Sequence, residues 1–233
     1  MSPLAPGFHA LWPTPIGIYR LAGAEAFNAR LVAAFDALRA EQRRQRGEAA
    51  RPFFASDDDL VQRVTLPGWA DFVRFVVDRV HDTAARANEG HWPDGGLDLR
   101  VALQGMWFQC SNAGAFHDVH THGNCSWSGV YVVQVDPEEA RVRHPVHGAA
   151  NGATRFYGPP FATLGGAFVD VGNAYLQPPH RDVAPVAGQL TIFPSWLAHQ
   201  ALPYAGTAER VIVSFNASVH AAGGDRLHAY AAG

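Results

Sequence analysis

Gln189-Leu190-Thr191-Ile192-Phe193-Pro194-Ser195-Trp196-Leu197-Ala198-His199 is an apolar, strand-like stretch that ends in a histidine. Arg210 follows that histidine by 11 positions, and His199 itself lies 77 positions after the second histidine of His120-Thr121-His122. Side chains on a strand alternate with a period of two, so His120 and His122 are expected on one face. Three imidazoles from two strands, with an arginine close behind, describe an open metal site beside a cation able to hold an anion. A structural zinc closes its shell, usually with Cys, whereas three protein ligands leave positions free. The pattern points to redox chemistry on a small molecule.

Outward from this stretch, strand-like runs alternate with Gly, Pro and Asn turns: Leu97 to Phe108, Trp127 to Val135, Thr154 to Tyr157, Ala167 to Val171, Gln189 to Phe193 and Arg210 to Val219. An opening strand is expected over Leu11 to Tyr19. From Ala24 to about Arg46, Phe27, Leu31, Phe35 and Leu38 recur at helical spacing, and Arg43, Arg44 and Arg46 suit the helix C-terminus. Ser56-Asp57-Asp58-Asp59 reads as a cap or loop. A second helix, about Trp69 to Ala87, places Trp69, Phe72, Val73, Val76, Val77, Val80 and Ala84 on one face, ended by Gly90 and Pro93. Val142 to Gly152 is expected as a polar loop.

Two helices followed by several short strands define an α+β, mainly β fold: an antiparallel sandwich or barrel behind a helical layer. No repeat or linker splits the chain. Residues 1–233 are therefore expected as one domain, with a helical layer over 1–95, a β core over 96–220 and a tail over 221–233.

Hydrophobic content of 48% is ordinary for a globular protein. A net charge of −3 offers no basic surface for nucleic acid, and no apolar run approaches the ~20 residues of a membrane span. Met1 to Gly7 lacks the pattern of a secretory leader. Cys110 and Cys125 form no CxxC pair and imply no disulfide framework. Cytoplasm is the expected compartment.

Histidine is over-used, at 12 residues. An HxH pair in such a chain is by itself more often surface decoration than a ligand pair, and His199 with Arg210 raises its standing. Neutral imidazole suits iron, copper, nickel and zinc, and the better-known iron oxygenase set is two His and one carboxylate. Here His122 stands where that carboxylate is expected. Asp118, two residues before His120, is an alternative ligand or a group that orients His120.

At this level of detail the chain resembles a family. The matching stretches are Gly114-Ala115-Phe116-His117-Asp118-Val119-His120-Thr121-His122, Ser128-Gly129-Val130-Tyr131-Val132, Pro185 to His199, and Arg210-Val211-Ile212-Val213-Ser214-Phe215-Asn216. They are similar to bacterial 2-oxoglutarate–iron(II) oxygenases whose first ligand motif is HxH rather than HxD. Trp12-Pro13-Thr14-Pro15-Ile16 is similar to how those proteins begin. The resemblance implies a double-stranded β-helix (jelly-roll) barrel with N-terminal helices on one sheet, and makes the domain an oxygenase domain. It implies iron(II) on His120, His122 and His199, with no catalytic residues beyond these ligands. It implies 2-oxoglutarate with its distal carboxylate on Arg210, an always-charged bidentate clamp. Ser214, on the face of Arg210 and Ile212, would donate a second bond to that carboxylate, and Asn216 would line the substrate side. Dioxygen and a small-molecule or peptide substrate, most simply hydroxylated, complete the implied reaction. Jelly-roll edge strands leave a homodimer open.

Two departures bear on the cosubstrate. The family commonly has Ser-Gly-Val-Tyr-Tyr where this chain has Val132, and Trp-x-Asn where it has Trp107-Phe108-Gln109. Tyr131 is a candidate cosubstrate contact, although alternation puts it on the face opposite Val130 and Val132. Trp127 and Trp196 are candidate pocket walls or plain core, and His117 a rim residue. His144, His147 and His180 fall in loops. Two other functions remain: a cupin-type metal dioxygenase without cosubstrate, which lacks its Glu near Ser126-Trp127, and a non-catalytic jelly-roll sensor.

Overall fold

The computed structural model describes residues 14–92, 97–158 and 180–221. The expected strand at Ala167 to Val171, the beginning of the opening strand, Pro93 and the tail lie outside the described residues.

In chain order the elements are β1 (Gly17–Arg20), α1 (Ala24–Arg46), β2 (Phe53–Ala55), α2 (Leu60–Arg63), α3 (Trp69–Ala87), β3 (Leu99–Ser111), β4 (Ala115–His120), β5 (Trp127–Gln134), α4 (Glu138–Arg141), β6 (Thr154–Tyr157), β7 (His180–Val183), β8 (Gln189–Pro194), β9 (His199–Tyr204) and β10 (Arg210–Ala221). A 3-10 turn, Gly148–Ala150, follows α4, so the segment expected as a plain polar loop carries one short helical turn. The strands form two antiparallel sheets, one of six in the order β1-β8-β5-β10-β3-β2 and one of four in the order β4-β9-β6-β7. The first 95 residues are therefore not purely helical, since β1 and β2 supply both edges of the larger sheet.

Both long helices have the expected bounds. Phe27, Leu31 and Phe35 of α1 and Phe72, Val76, Val80 and Ala84 of α3 recur at the helical repeat and are buried. Gly47 ends α1 with φ 65°, a left-handed conformation that costs glycine nothing, while the Gly47 and Glu48 amides return to Arg44 and Arg43 carbonyls.

These apolar stripes pack on one face of the larger sheet. Met106, Phe108 and Cys110, Tyr131 and Val133, Leu190 and Ile192, and Val211, Val213, Phe215 and Ala217 join them in a single core. Every one is an alternate residue of its strand, as a sheet with one dry face requires. Each such Phe or Leu contributes roughly 1.5–3 kcal/mol on burial. The intervening residues point to the other face, toward the four-stranded sheet, where the apolar cluster is small: Phe156, Phe193 and Leu197. The space left between the sheets holds the site.

The stretch Gln189 to His199 does not lie in one sheet. Pro194 closes β8, the Leu197 amide bonds the Pro194 carbonyl at 2.9 Å in a turn, and His199 opens β9 of the smaller sheet. One continuous motif thus crosses between the two layers.

Candidate active site

His120, His122 and His199 converge, each offering a ring nitrogen within 4.8 Å of the other two. His120 and His199 meet because they are register partners across β4 and β9, with ring centroids 4.3 Å apart. His122 arrives differently from the alternation argument. β4 ends at His120, and His122 sits in the following loop, held by its amide bond to the Ser195 carbonyl at 2.9 Å. Ser195 in turn gives its amide to the Ser126 carbonyl and its hydroxyl to the Cys125 carbonyl. These bonds fasten the HxH loop to the turn that precedes His199.

The backbone also sets the ring orientations. His120 Nδ1 lies 2.6 Å from the Asp118 carbonyl and His199 Nδ1 2.9 Å from the Leu197 carbonyl. Both Nδ1 atoms donate there, which turns Nε2 toward the cavity. His122 Nε2 and His199 Nε2 are 3.3 Å apart. Two nitrogens that share one cation at ~2.1 Å, at roughly 90–110°, lie about 3.0–3.4 Å from each other, so this pair fits a common ion. Burial, with the neighbouring imidazoles adding to it, pushes His122 down to about 4. Burial also pushes His199 down to about 3, against a contrary pull from the Leu197 carbonyl. Both rings are neutral at ordinary pH, the form a metal needs. Asp118 takes part through its main chain: its exposed carboxylate accepts the Val119 amide and is not part of the cluster.

Arg210 shares the cavity with the three histidines. It is 3% exposed, its Nε has no hydrogen-bond partner, and no carboxylate among the described residues pairs with it. The surface ion pair that its sequence neighbours suggest does not form: Glu209 pairs with Arg39 and Asp182 with Arg155. Burial pulls the Arg210 guanidinium down to about 10, with Tyr204 raising it and Arg141 lowering it further, so it remains cationic at neutral pH. An unpaired buried cation is costly. It is the orphan that an anionic ligand would satisfy.

Ser214 lines the same cavity, two residues along the strand face from Ile212. Tyr131 does not. Its hydroxyl donates to Asn28 Oδ1 at 2.8 Å, its ring meets Phe72 edge-on, and it is fully buried among the helices. As an odd-numbered residue of β5 it faces away from the cavity, which corrects its candidacy as a cosubstrate contact. Asn216 accepts a bond from Ser128 rather than lining the cavity. Trp127 belongs to the helix-side core and Trp196 is 56% exposed. The aromatic wall is instead Trp107, its ring 6.1 Å from that of His122. His117 is at the cavity as well, its ring 4.0 Å from that of His120. Gln109 and Thr154 line the cavity with Trp107; period-two alternation from the core residue Phe108 turns Trp107 and Gln109 inward.

The inward-facing cluster of neutral imidazoles could hold a metal ion, and the unsatisfied cation in the same cavity could take an acidic ligand. The sequence comparison sharpens this. Residues 105–216 match the family described as "Putative 2OG-Fe(II) oxygenase", and this segment carries His120, His122, His199 and Arg210. No curated protein sequence matches it. Among solved structures it is similar to the non-heme alpha ketoglutarate dependent epimerase SnoN from nogalamycin biosynthesis, with 13% identity, 88% of this chain and 76% of that one covered, and a TM-score of 0.53. It is also similar to AviO1 from Streptomyces viridochromogenes Tue57 (13% identity, 87% and 90% covered, TM-score 0.52). HygX from Streptomyces hygroscopicus, solved with nickel and 2-oxoglutarate bound, is 10% identical over 88% and 83% of the two chains, with a TM-score of 0.52. At these identities the likeness is one of fold. No helix of the described residues is long and apolar enough to cross a membrane.

Proposed function

We propose that His120, His122 and His199 hold iron(II), that Arg210 and Ser214 hold the distal carboxylate of 2-oxoglutarate, and that the two sheets are the faces of a double-stranded β-helix. The observation that carries this reading is the unpaired, buried Arg210 guanidinium in the same cavity as three imidazoles, two of which, His120 and His199, are oriented from behind by main-chain carbonyls. Iron(II) with 2-oxoglutarate, when bound, would activate dioxygen as the oxidant: one oxygen atom would go to succinate with loss of carbon dioxide, and the other to a substrate C–H bond.

The chain's own groups position and shield. The Asp118 and Leu197 carbonyls hold the Nδ1 protons of His120 and His199, so both rings keep one tautomer. Arg210 offers a fork of donors that matches a carboxylate. Phe193, in contact with His199 at 4.5 Å between ring centroids, and Trp107 make the walls apolar and limit water near the reacting centre. A small molecule or peptide is the proposed substrate and hydroxylation the proposed outcome. Cys110 and Cys125 are both free, in keeping with the reducing cytoplasm proposed as its compartment.

The test is metal content and turnover in paired variants. His199→Ala should lose bound iron and all iron-dependent conversion of 2-oxoglutarate to succinate. His144→Ala, whose ring stacks on His147 away from the cluster, should keep both. Equal iron content in the two variants refutes the ligand set.

A further inference from the structure

Gln109 is a lining residue of the site cavity, which contains Arg210 and the three histidines. It is 7% exposed, and its side chain has no hydrogen-bond partner among the described residues. Strand register fixes where it stands. On β10, Arg210, Ile212 and Ser214 face inward, and their partners on β3 are Ser111, Gln109 and Trp107. Gln109 is therefore directly opposite Ile212 and diagonal to Arg210, a spacing of ~7–8 Å between backbones that long side chains bridge. On the other side of Ile212 in the same row stands Val132, which offers no polar atom. Of the three side chains in this cross-strand row, Gln109 alone can donate a hydrogen bond.

We infer that the Gln109 side-chain amide donates a hydrogen bond to the distal carboxylate of the cosubstrate, next to Arg210. The inference rests on the proposed placement of 2-oxoglutarate. A carboxylate presents about four lone-pair sites. The Arg210 fork takes two and the Ser214 hydroxyl one, and Gln109 supplies the donor that remains. The amide also makes the site selective: an acid without the second carboxylate leaves both the guanidinium and the amide unsatisfied.

Calorimetric titration of anaerobic, manganese-loaded protein tests this without turnover. For Gln109→Leu, affinity for 2-oxoglutarate should fall tenfold or more, while affinity for 2-oxovalerate, which lacks the distal carboxylate, stays within twofold. Gln109→Glu keeps the shape and places a negative charge beside the carboxylate, so its loss for 2-oxoglutarate should exceed that of the leucine variant. Unchanged 2-oxoglutarate affinity in both variants overturns the inference, as does an equal loss for 2-oxovalerate. If the unmodified protein binds 2-oxovalerate but gains nothing from the second carboxylate, the placement on Arg210 is itself wrong and the role of Gln109 falls with it.

Discussion

Arg210→Met separates ligand binding from stability. The substitution keeps length and apolar bulk and removes a charge that is 3% exposed and unpaired among the described residues. Its burial, which pulls the guanidinium down to about 10, corresponds to about 3 kcal/mol against the charged form in the unliganded protein. Replacing such a charge with a well-packed apolar chain is neutral to stabilising by ~1–4 kcal/mol. At ~2–4 °C per kcal/mol for a chain of this size, the unliganded variant should melt at the same temperature or several degrees higher. Binding should move the opposite way. Two charge-assisted bonds at ~1.5–3 kcal/mol each correspond to a loss of roughly 10²–10⁴-fold in 2-oxoglutarate affinity. Calorimetric titration and thermal melts, with and without 2-oxoglutarate, measure both quantities. A variant that melts more than about 5 °C lower and still binds 2-oxoglutarate normally would refute the reasoning, since Arg210 would then be a structural cation.

Tyr131→Phe tests the face assignment. It deletes the hydroxyl bond to Asn28 and should cost about 0.5–1.5 kcal/mol in denaturant melts, with 2-oxoglutarate affinity unchanged; an affinity loss would return Tyr131 to the cavity. The histidine cluster makes the metal-free protein acid-sensitive in a defined window. The unfolded chain binds protons near pH 6.5, while His122 and His199 resist them down to about 4 and about 3. Stability present above pH 6.5 is therefore lost as pH falls toward 3. The slope should approach ~1.4 kcal/mol per pH unit from His199, with less from the half-exposed His122. Urea melts between pH 7 and 4 measure it, and a flat profile in which His199→Ala matches the parent would contradict it.

The fold was legible wherever one face of an element is dry. Phe27, Leu31 and Phe35, and the row from Phe72 to Ala84, mark α1 and α3 because an apolar stripe must follow the helical repeat. β5, β8 and β10 are visible because the inner face of the larger sheet is itself enclosed, so their residues are almost all apolar or small. β4 and β9 carry Ala-Phe-His-Asp-Val-His and His-Gln-Ala-Leu-Pro-Tyr, where one side faces solvent and the other a polar site. Neither leaves a hydrophobic signal, although HxH itself marks β4. The approach of His122 through the Ser195 carbonyl was hidden for a different reason, being a main-chain contact that no side chain encodes. Gln109 lay within a recognised motif, but its inward orientation became readable only from its register with Ile212.

The crossing of Gln189 to His199 from one layer to the other divides the molecule by what secures it. The larger sheet is backed by helices and an extensive apolar core. The smaller sheet carries His120 and His199, and among the described residues the buried apolar cluster on its side is small: Phe156, Phe193 and Leu197. An ion on the histidines would act as a rivet in that layer. A dicarboxylate reaching from the ion to Arg210 would act as a strut between the layers, so loading would stiffen the half of the protein that has the smaller apolar cluster.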